Sequence, residues 1–86
     1  MKSSTTPSFR KHLAALPPEV RRLALKNYRL WRRDPRHPSL HFKRVGNYWS
    51  ARIGAARRAL GRERQGQMVW FWIGPHDEYE RVLAGG

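Results

Sequence analysis

Between Asp34 and Glu63 the chain carries no acidic side chain, yet that stretch holds Arg36, Lys43, Arg44, Arg52, Arg57, Arg58 and Arg62. Phe42, Tyr48 and Trp49 are interleaved with them. A guanidinium offers parallel N–H donors to two phosphate oxygens, and aromatic rings offer faces on which bases stack. Residue types in this pattern describe a surface shaped for a polyanion. Histidine is the side chain whose ordinary pKa falls between about pH 5 and 8, so a histidine is the residue type able to move a proton here. No phosphate-gripping glycine loop, paired carboxylates or metal cluster is visible, and His12, His37 and His41 lack the spacing of metal ligands. With only 6 Asp and Glu in all, a two-metal nuclease is excluded, and neither metal nor other cofactor is expected.

Charge and size set the outer bounds. The sequence has 86 residues, 18 Lys and Arg, and a formal net charge of +12. Such a field favours phosphate-bearing partners or an acidic protein and says nothing about fold. A chain this short is expected to form a single domain, 1–86, burying roughly 60–65% of the surface its unfolded form exposes. Cysteine is absent, which removes disulfides, a thiolate nucleophile and zinc–thiolate chemistry. No stretch approaches the roughly 20 apolar residues of a membrane span, and residues 1–9 lack the apolar segment of a secretory signal. The expected location is the cytoplasm.

The elements that must position these side chains can be read in order. Residues 1–8 form a frayed segment or a short edge strand ending at Pro7. Ser8 is the expected N-cap of a helix over 9–16, with Phe9, Leu13 and Leu16 on one face. Pro17-Pro18 breaks the chain and restarts it, with Pro18 in a first helical position and Glu19 at the positive end of the helix dipole. Val20, Leu23, Ala24, Asn27 or Tyr28, and Trp31 then recur at helical spacing, opposite a basic face of Arg21, Arg22, Lys26, Arg29, Arg32 and Arg33. That helix should stop near Arg33, because the residue before Pro35 is pushed out of helical geometry. Strands are expected over 39–45, 48–53, 56–61 and 67–73, with a polar hairpin at 62–66. The last strand is apolar on both faces and therefore interior, with Trp70 and Trp72 on one side and Phe71 on the other. Gly74-Pro75 ends it, and 77–83 reads as a short helix. The fold class is α+β: an N-terminal helical hairpin on a small twisted, mostly antiparallel sheet, followed by a short C-terminal helix.

Four segments in this order carry a resemblance. Leu16-Pro17-Pro18-Glu19-Val20, the run from Asp34 through Val45, Arg58-Ala59-Leu60-Gly61, and the run from Trp70 through Tyr79 together resemble the RelE/ParE superfamily of toxins from type II toxin–antitoxin systems. The match spans nearly the whole chain and is nearest the RelE-like branch. It implies a small cytoplasmic toxin held in check by a cognate antitoxin through an acidic or amphipathic segment. In the RelE branch the implied activity is metal-independent cleavage of mRNA on the ribosome. In the ParE branch it is non-enzymatic inhibition of DNA gyrase, and a catalytically inactive RNA-binding relative is a third reading.

The resemblance also assigns roles. It places Arg52 and Arg58 on the second and third strands facing the scissile phosphate, where a guanidinium stabilises charge growing in the transition state. Arg57 departs from the pattern, since relatives carry tyrosine before that arginine; as a strand neighbour of Arg58 it points to the other face. His76 falls where relatives keep a basic residue near the phosphate; the competing reading is a helix-start histidine bonded within its own turn. Tyr79, one turn on, either meets a base or packs on Trp72. Lys43 and Arg44 alternate faces, so one of them serves the surface of Arg52, and Lys43 is the expected one. Trp49 is the aromatic expected at an RNA surface.

Overall fold

The computed structural model describes residues 2–85. Its elements run β1 (Lys2–Thr5), α1 (Pro7–Ala14), α2 (Pro18–Arg33), a 3₁₀ turn (Pro38–Leu40), β2 (Lys43–Val45), β3 (Tyr48–Ile53), β4 (Arg57–Arg64), β5 (Gln67–Pro75) and α3 (His76–Gly85). The five strands form one sheet in the order β1-β5-β4-β3-β2. Every pairing is antiparallel except β1 alongside β5. This is the expected α+β arrangement, with the helical hairpin first and a short helix last. Residues Lys2–Thr5 form the edge strand; Met1 lies outside the described residues.

Proline placement shapes the hairpin. Pro7 begins α1, where its missing N–H costs nothing, and the cap is Thr6 rather than Ser8: Thr6 Oγ1 accepts from Phe9 N at 3.0 Å. Pro18 begins α2 without a side-chain cap. Instead Arg21 Nη1 donates back to the Leu16 carbonyl at 2.7 Å, tying the turn between the helices. As expected, α2 ends at Arg33, and Asp34 is extended with φ −149°. Its apolar stripe buries Ala24 and Trp31, with Val20, Leu23, Tyr28 and Leu30 packed around them, against Ala51, Ile53, Ala59, Met68, Trp70 and Ile73 of the sheet. Trp31 meets Trp70 edge-on at 5.2 Å, a favoured aromatic geometry.

Three expectations about the strands are corrected. The strand foreseen over 39–45 shrinks to Lys43–Val45. Pro38 has no N–H for a ladder, the His37 side chain accepts from Ser39 N, and His41 takes a left-handed φ of 44°, so local bonds win over pairing. The hairpin foreseen at 62–66 contracts to Gln65-Gly66, whose φ values of 51° and 78° are those of a two-residue turn matched to strand twist. Arg62, Glu63 and Arg64 stay in the ladder, their polarity reflecting solvent exposure rather than a loop.

The third correction concerns the tryptophans. A bulge between Leu60 and Gly61 sets Trp72 opposite Leu60 but Trp70 opposite Gly61, leaving Phe71 without a ladder partner. Trp70 therefore lies in the core beneath the helical hairpin, whereas Trp72 joins Leu60 and Tyr79 in a second cluster, with Tyr48, Phe71, Val82 and Leu83 around it. A Cβ on Gly61 would sit 2.9 Å from both Met68 Sδ and Trp70 Cε3, so the missing side chain is what admits the ring. The second cluster is where α3 docks on the sheet.

Candidate nucleic-acid interface

Arg52 on β3 and Arg58 on β4 are register partners, and Arg58 is in turn opposite Gly74 on β5. Paired residues share a face of the sheet, and alternate residues along a strand return to it. Lys43 pairs with Ser50, two positions from Arg52, so Lys43 lies on that face as well. Residues one step away, Ala51, Ile53 and Ala59, point into the core beneath the helical hairpin. The three cations thus share the face remote from that hairpin.

Each arginine is held separately. Arg52 Nε donates to the Gly54 carbonyl at 2.8 Å, and its Nη1 stands 3.4 Å from His41 Nε2. The carbonyl is in place because Gly54 turns the chain with φ +64°, a conformation suited to glycine. Arg58 Nη1 donates to the Arg57 carbonyl at 3.4 Å. Among the described residues no arginine or lysine lies within ion-pair distance of a carboxylate; the one such contact is His76 Nε2 to Glu80 Oε1 at 4.0 Å. The positive field is therefore not spent inside the molecule.

Arg62 joins this face and His41 reaches Arg52 from beside it, although the resemblance assigns a role to neither. Alternation from Arg58 through Leu60 brings Arg62 to the same face, where its guanidinium lies 4.9 Å from the Phe71 ring centroid and 5.5 Å from that of Tyr48. That spacing is a cation–π contact. The strand runs on through Arg64, past the expected hairpin start at 62, and that continuation carries the alternation to Arg62. His41 reaches Arg52 only because the 3₁₀ turn folds it there, and nothing in the spacing signals that.

The remaining candidates divide. His76 opens α3, its N–H donating to the Ala56 carbonyl at 2.9 Å, and its side chain is 48% exposed. Its ring lies 5.5 Å from that of Tyr79. Tyr79 itself is only 7% exposed, buried in the cluster with Leu60 and Trp72, so it is removed from the open surface. Arg57 pairs with Ile53 and faces away from Arg58; its Nε is buried without a hydrogen-bond partner among the described residues. Arg44 pairs with Trp49 on that same opposite face, its Nε donating to the Gly46 carbonyl at 3.2 Å. Trp49 stacks on Phe42, centroids 4.8 Å apart at 16°. The structure so brings Lys43, Arg52 and Arg58 together and sets Arg44, Trp49 and Arg57 apart from them.

A helical hairpin over one face of this five-stranded sheet is the fold seen in solved RelE- and ParE-type toxins. The RelB–RelE antitoxin–toxin complex from Methanococcus jannaschii superposes with a TM-score of 0.71 at 13% identity, covering 91% of this chain and 95% of that one. The YoeB/ParE toxin from Agrobacterium tumefaciens gives 0.68 at 20% identity, over 88% and 99% of the two chains. The toxin–antitoxin complex RelBE2 from Mycobacterium tuberculosis gives 0.67 at 21%, over 87% and 96%. By sequence, no model of a known protein family matches and no curated protein matches. Among the described residues no helix is long and apolar enough to cross a membrane.

Proposed function

We propose that this chain is the toxin of a type II toxin–antitoxin pair, acting in the cytoplasm as a ribosome-dependent mRNA endonuclease. The observation that carries the reading is the register opposition of Arg52 and Arg58, with Lys43 beside them, on the face of the sheet remote from the helical hairpin in a RelE-type fold. Solved structures of this fold include toxins in complex with RelB antitoxins, which supports an antitoxin as partner.

The chemistry follows from the side chains. The 2′-hydroxyl of the nucleotide on the 5′ side loses its proton and attacks the adjacent phosphorus. A bond forms from that oxygen to phosphorus, and the bond to the 5′-oxygen of the next nucleotide breaks. The leaving oxygen takes up a proton, and the 5′ fragment ends in a 2′,3′-cyclic phosphate. Arg58 and Arg52 neutralise the charge that builds on the phosphoryl oxygens, Lys43 positions the strand, and His76 exchanges the proton. No carboxylate enters the scheme. Arg57 faces away from this surface, and the exposed Arg62 above Phe71 and Tyr48 is the group placed to meet a base here.

The test is brief induction in bacteria with parallel labelling of protein and DNA synthesis, followed by primer extension on ribosome-bound mRNA. Arrest of protein synthesis with discrete cleavage is the expected result. Blocked DNA synthesis without cleavage would transfer the assignment to gyrase inhibition, and binding of RNA with neither effect to an inactive relative.

A further inference from the structure

Trp49 is the aromatic whose residue type best fits an RNA surface, yet it lies on the face of the sheet opposite Arg52 and Arg58. What surrounds it there is a second basic-aromatic patch. Phe42 and Trp49 lie nearly parallel, 4.8 Å apart. Phe42 is braced from behind by Trp31, edge-on at 5.8 Å. Both rings are half-buried, and together with Pro35 and Arg36 they line an open hollow of about 510 Å³. That volume is within the range of about 300–1,000 Å³ usual for ligand sites. Arg44, register partner of Trp49, stands exposed beside it. Asp34, two residues before Arg36, has Oδ1 taken by the Arg36 backbone N–H at 3.2 Å.

We propose that this hollow is a second nucleic-acid contact, which takes one unpaired base of single-stranded RNA against the Phe42–Trp49 stack while Arg36 and Arg44 hold its flanking phosphates. A rigid stacked pair has an orientation fixed before binding, so little side-chain freedom is lost when a base is added. A strand held at this edge of the sheet and at the Arg52–Arg58 face would be gripped on both sides of β2 and β3. The site requires only that the chain bind RNA, and it does not depend on cleavage.

The tryptophans supply the test. Trp31, Trp70 and Trp72 are 2%, 3% and 6% exposed, so a base from solvent reaches Trp49 alone. Titration of the protein with a short oligoadenylate, read by intrinsic fluorescence, should quench saturably, and Trp49→Phe should abolish the quench while circular dichroism stays unchanged. The double variant Arg52→Ala, Arg58→Ala should keep the quench. Arg36→Ala with Arg44→Ala should weaken it, and lower the slope of log affinity against log salt by about 0.7 for each phosphate no longer neutralised. Arg22→Ala with Arg29→Ala removes equal charge from the exposed face of α2 and should leave that slope unaltered. Three results overturn the proposal: quenching that survives Trp49→Phe, quenching abolished by Arg52→Ala, Arg58→Ala but intact in Arg36→Ala, Arg44→Ala, and equal quenching by polyglutamate. Because the readout is stacking on Trp49, failure of this site is distinguishable from failure of the mRNA-cutting reading.

Discussion

Arg52 and Arg58 oppose one another at a single register position of the β3–β4 ladder, like charges on one side of the sheet. Such a pair weakens a sheet, and here each guanidinium is tied to a different backbone carbonyl, Gly54 for Arg52 and Arg57 for Arg58. A phosphate placed on this face relieves the repulsion. Arg58→Ala is therefore expected to lower cleavage of ribosome-bound mRNA by about 10²–10³-fold, the cost of removing one transition-state donor. Arg52→Ala should cost less, since Arg52 is held at 2.8 Å by the Gly54 carbonyl, more closely than Arg58 at 3.4 Å by that of Arg57, and has less of its guanidinium free for the phosphate. His76→Ala should lower the rate, because the imidazole exchanges the proton. Primer extension gives the rates and circular dichroism the fold, which all three variants should retain. Undiminished cutting by folded Arg58→Ala protein would refute the role given to it.

Eighteen basic side chains, none paired with a carboxylate among the described residues, leave most of the field to partners. RNA binding should weaken steeply as salt rises, with log affinity falling by about 0.7 per neutralised phosphate for each unit of log salt on single strands. Filter binding across a salt series measures this, and a flat dependence up to physiological salt would remove the polyanion reading.

The same field calls for an acidic antagonist. A gene beside this one should encode an antitoxin whose acidic or amphipathic segment orders on binding. Co-expression should restore growth and yield a complex that survives purification. Absence of any neighbouring product that binds or rescues would take away the main support for the toxin–antitoxin assignment.

Gly54 links stability to the site. Its φ of +64° and a Cβ that would fall 2.8 Å from Leu23 Cδ2 both resist a side chain. Gly54→Ala should cost about 1–2 kcal/mol from the left-handed backbone alone. It should also shift the carbonyl that holds Arg52. Thermal unfolding should show a lower Tm, by about 4–8 °C per kcal/mol for a domain of this size, and cleavage should fall further than stability alone explains.

Gly61→Ala probes the bulge. The added methyl would press on Met68 Sδ and on Trp70, each 2.9 Å away, at a cost of about 1–3 kcal/mol for overpacking. Because Gly61 opposes Trp70 across the ladder, tryptophan fluorescence should change along with the melting temperature. An unaltered melt would mean that the rings give way freely.

The hairpin of helices, their stripe of Val20, Leu23, Ala24 and Trp31, the stop at Arg33 and the strands from Lys43 onward were legible in the sequence, because proline geometry and helical periodicity act locally. The placing of Arg52 and Arg58 on facing strands came with the family resemblance, and strand alternation then set Lys43 apart from Arg44. Tertiary structure alone decided the rest. Trp70 and Trp72 part company because the ladder bulges opposite Leu60 and Gly61, and no local pattern announces a bulge. Trp49 turns to the helical-hairpin face because its register with Arg44 and Gly61 fixes it there, whatever its residue type favours. Tyr79 packs on Trp72, one of the two alternatives its position in the sequence left open, and the choice between them was made by α3 folding back onto Leu60 of a more distant strand. Pairing and packing across such distances depend on which surfaces meet, and that is settled by the collapse of the whole chain rather than by any one segment.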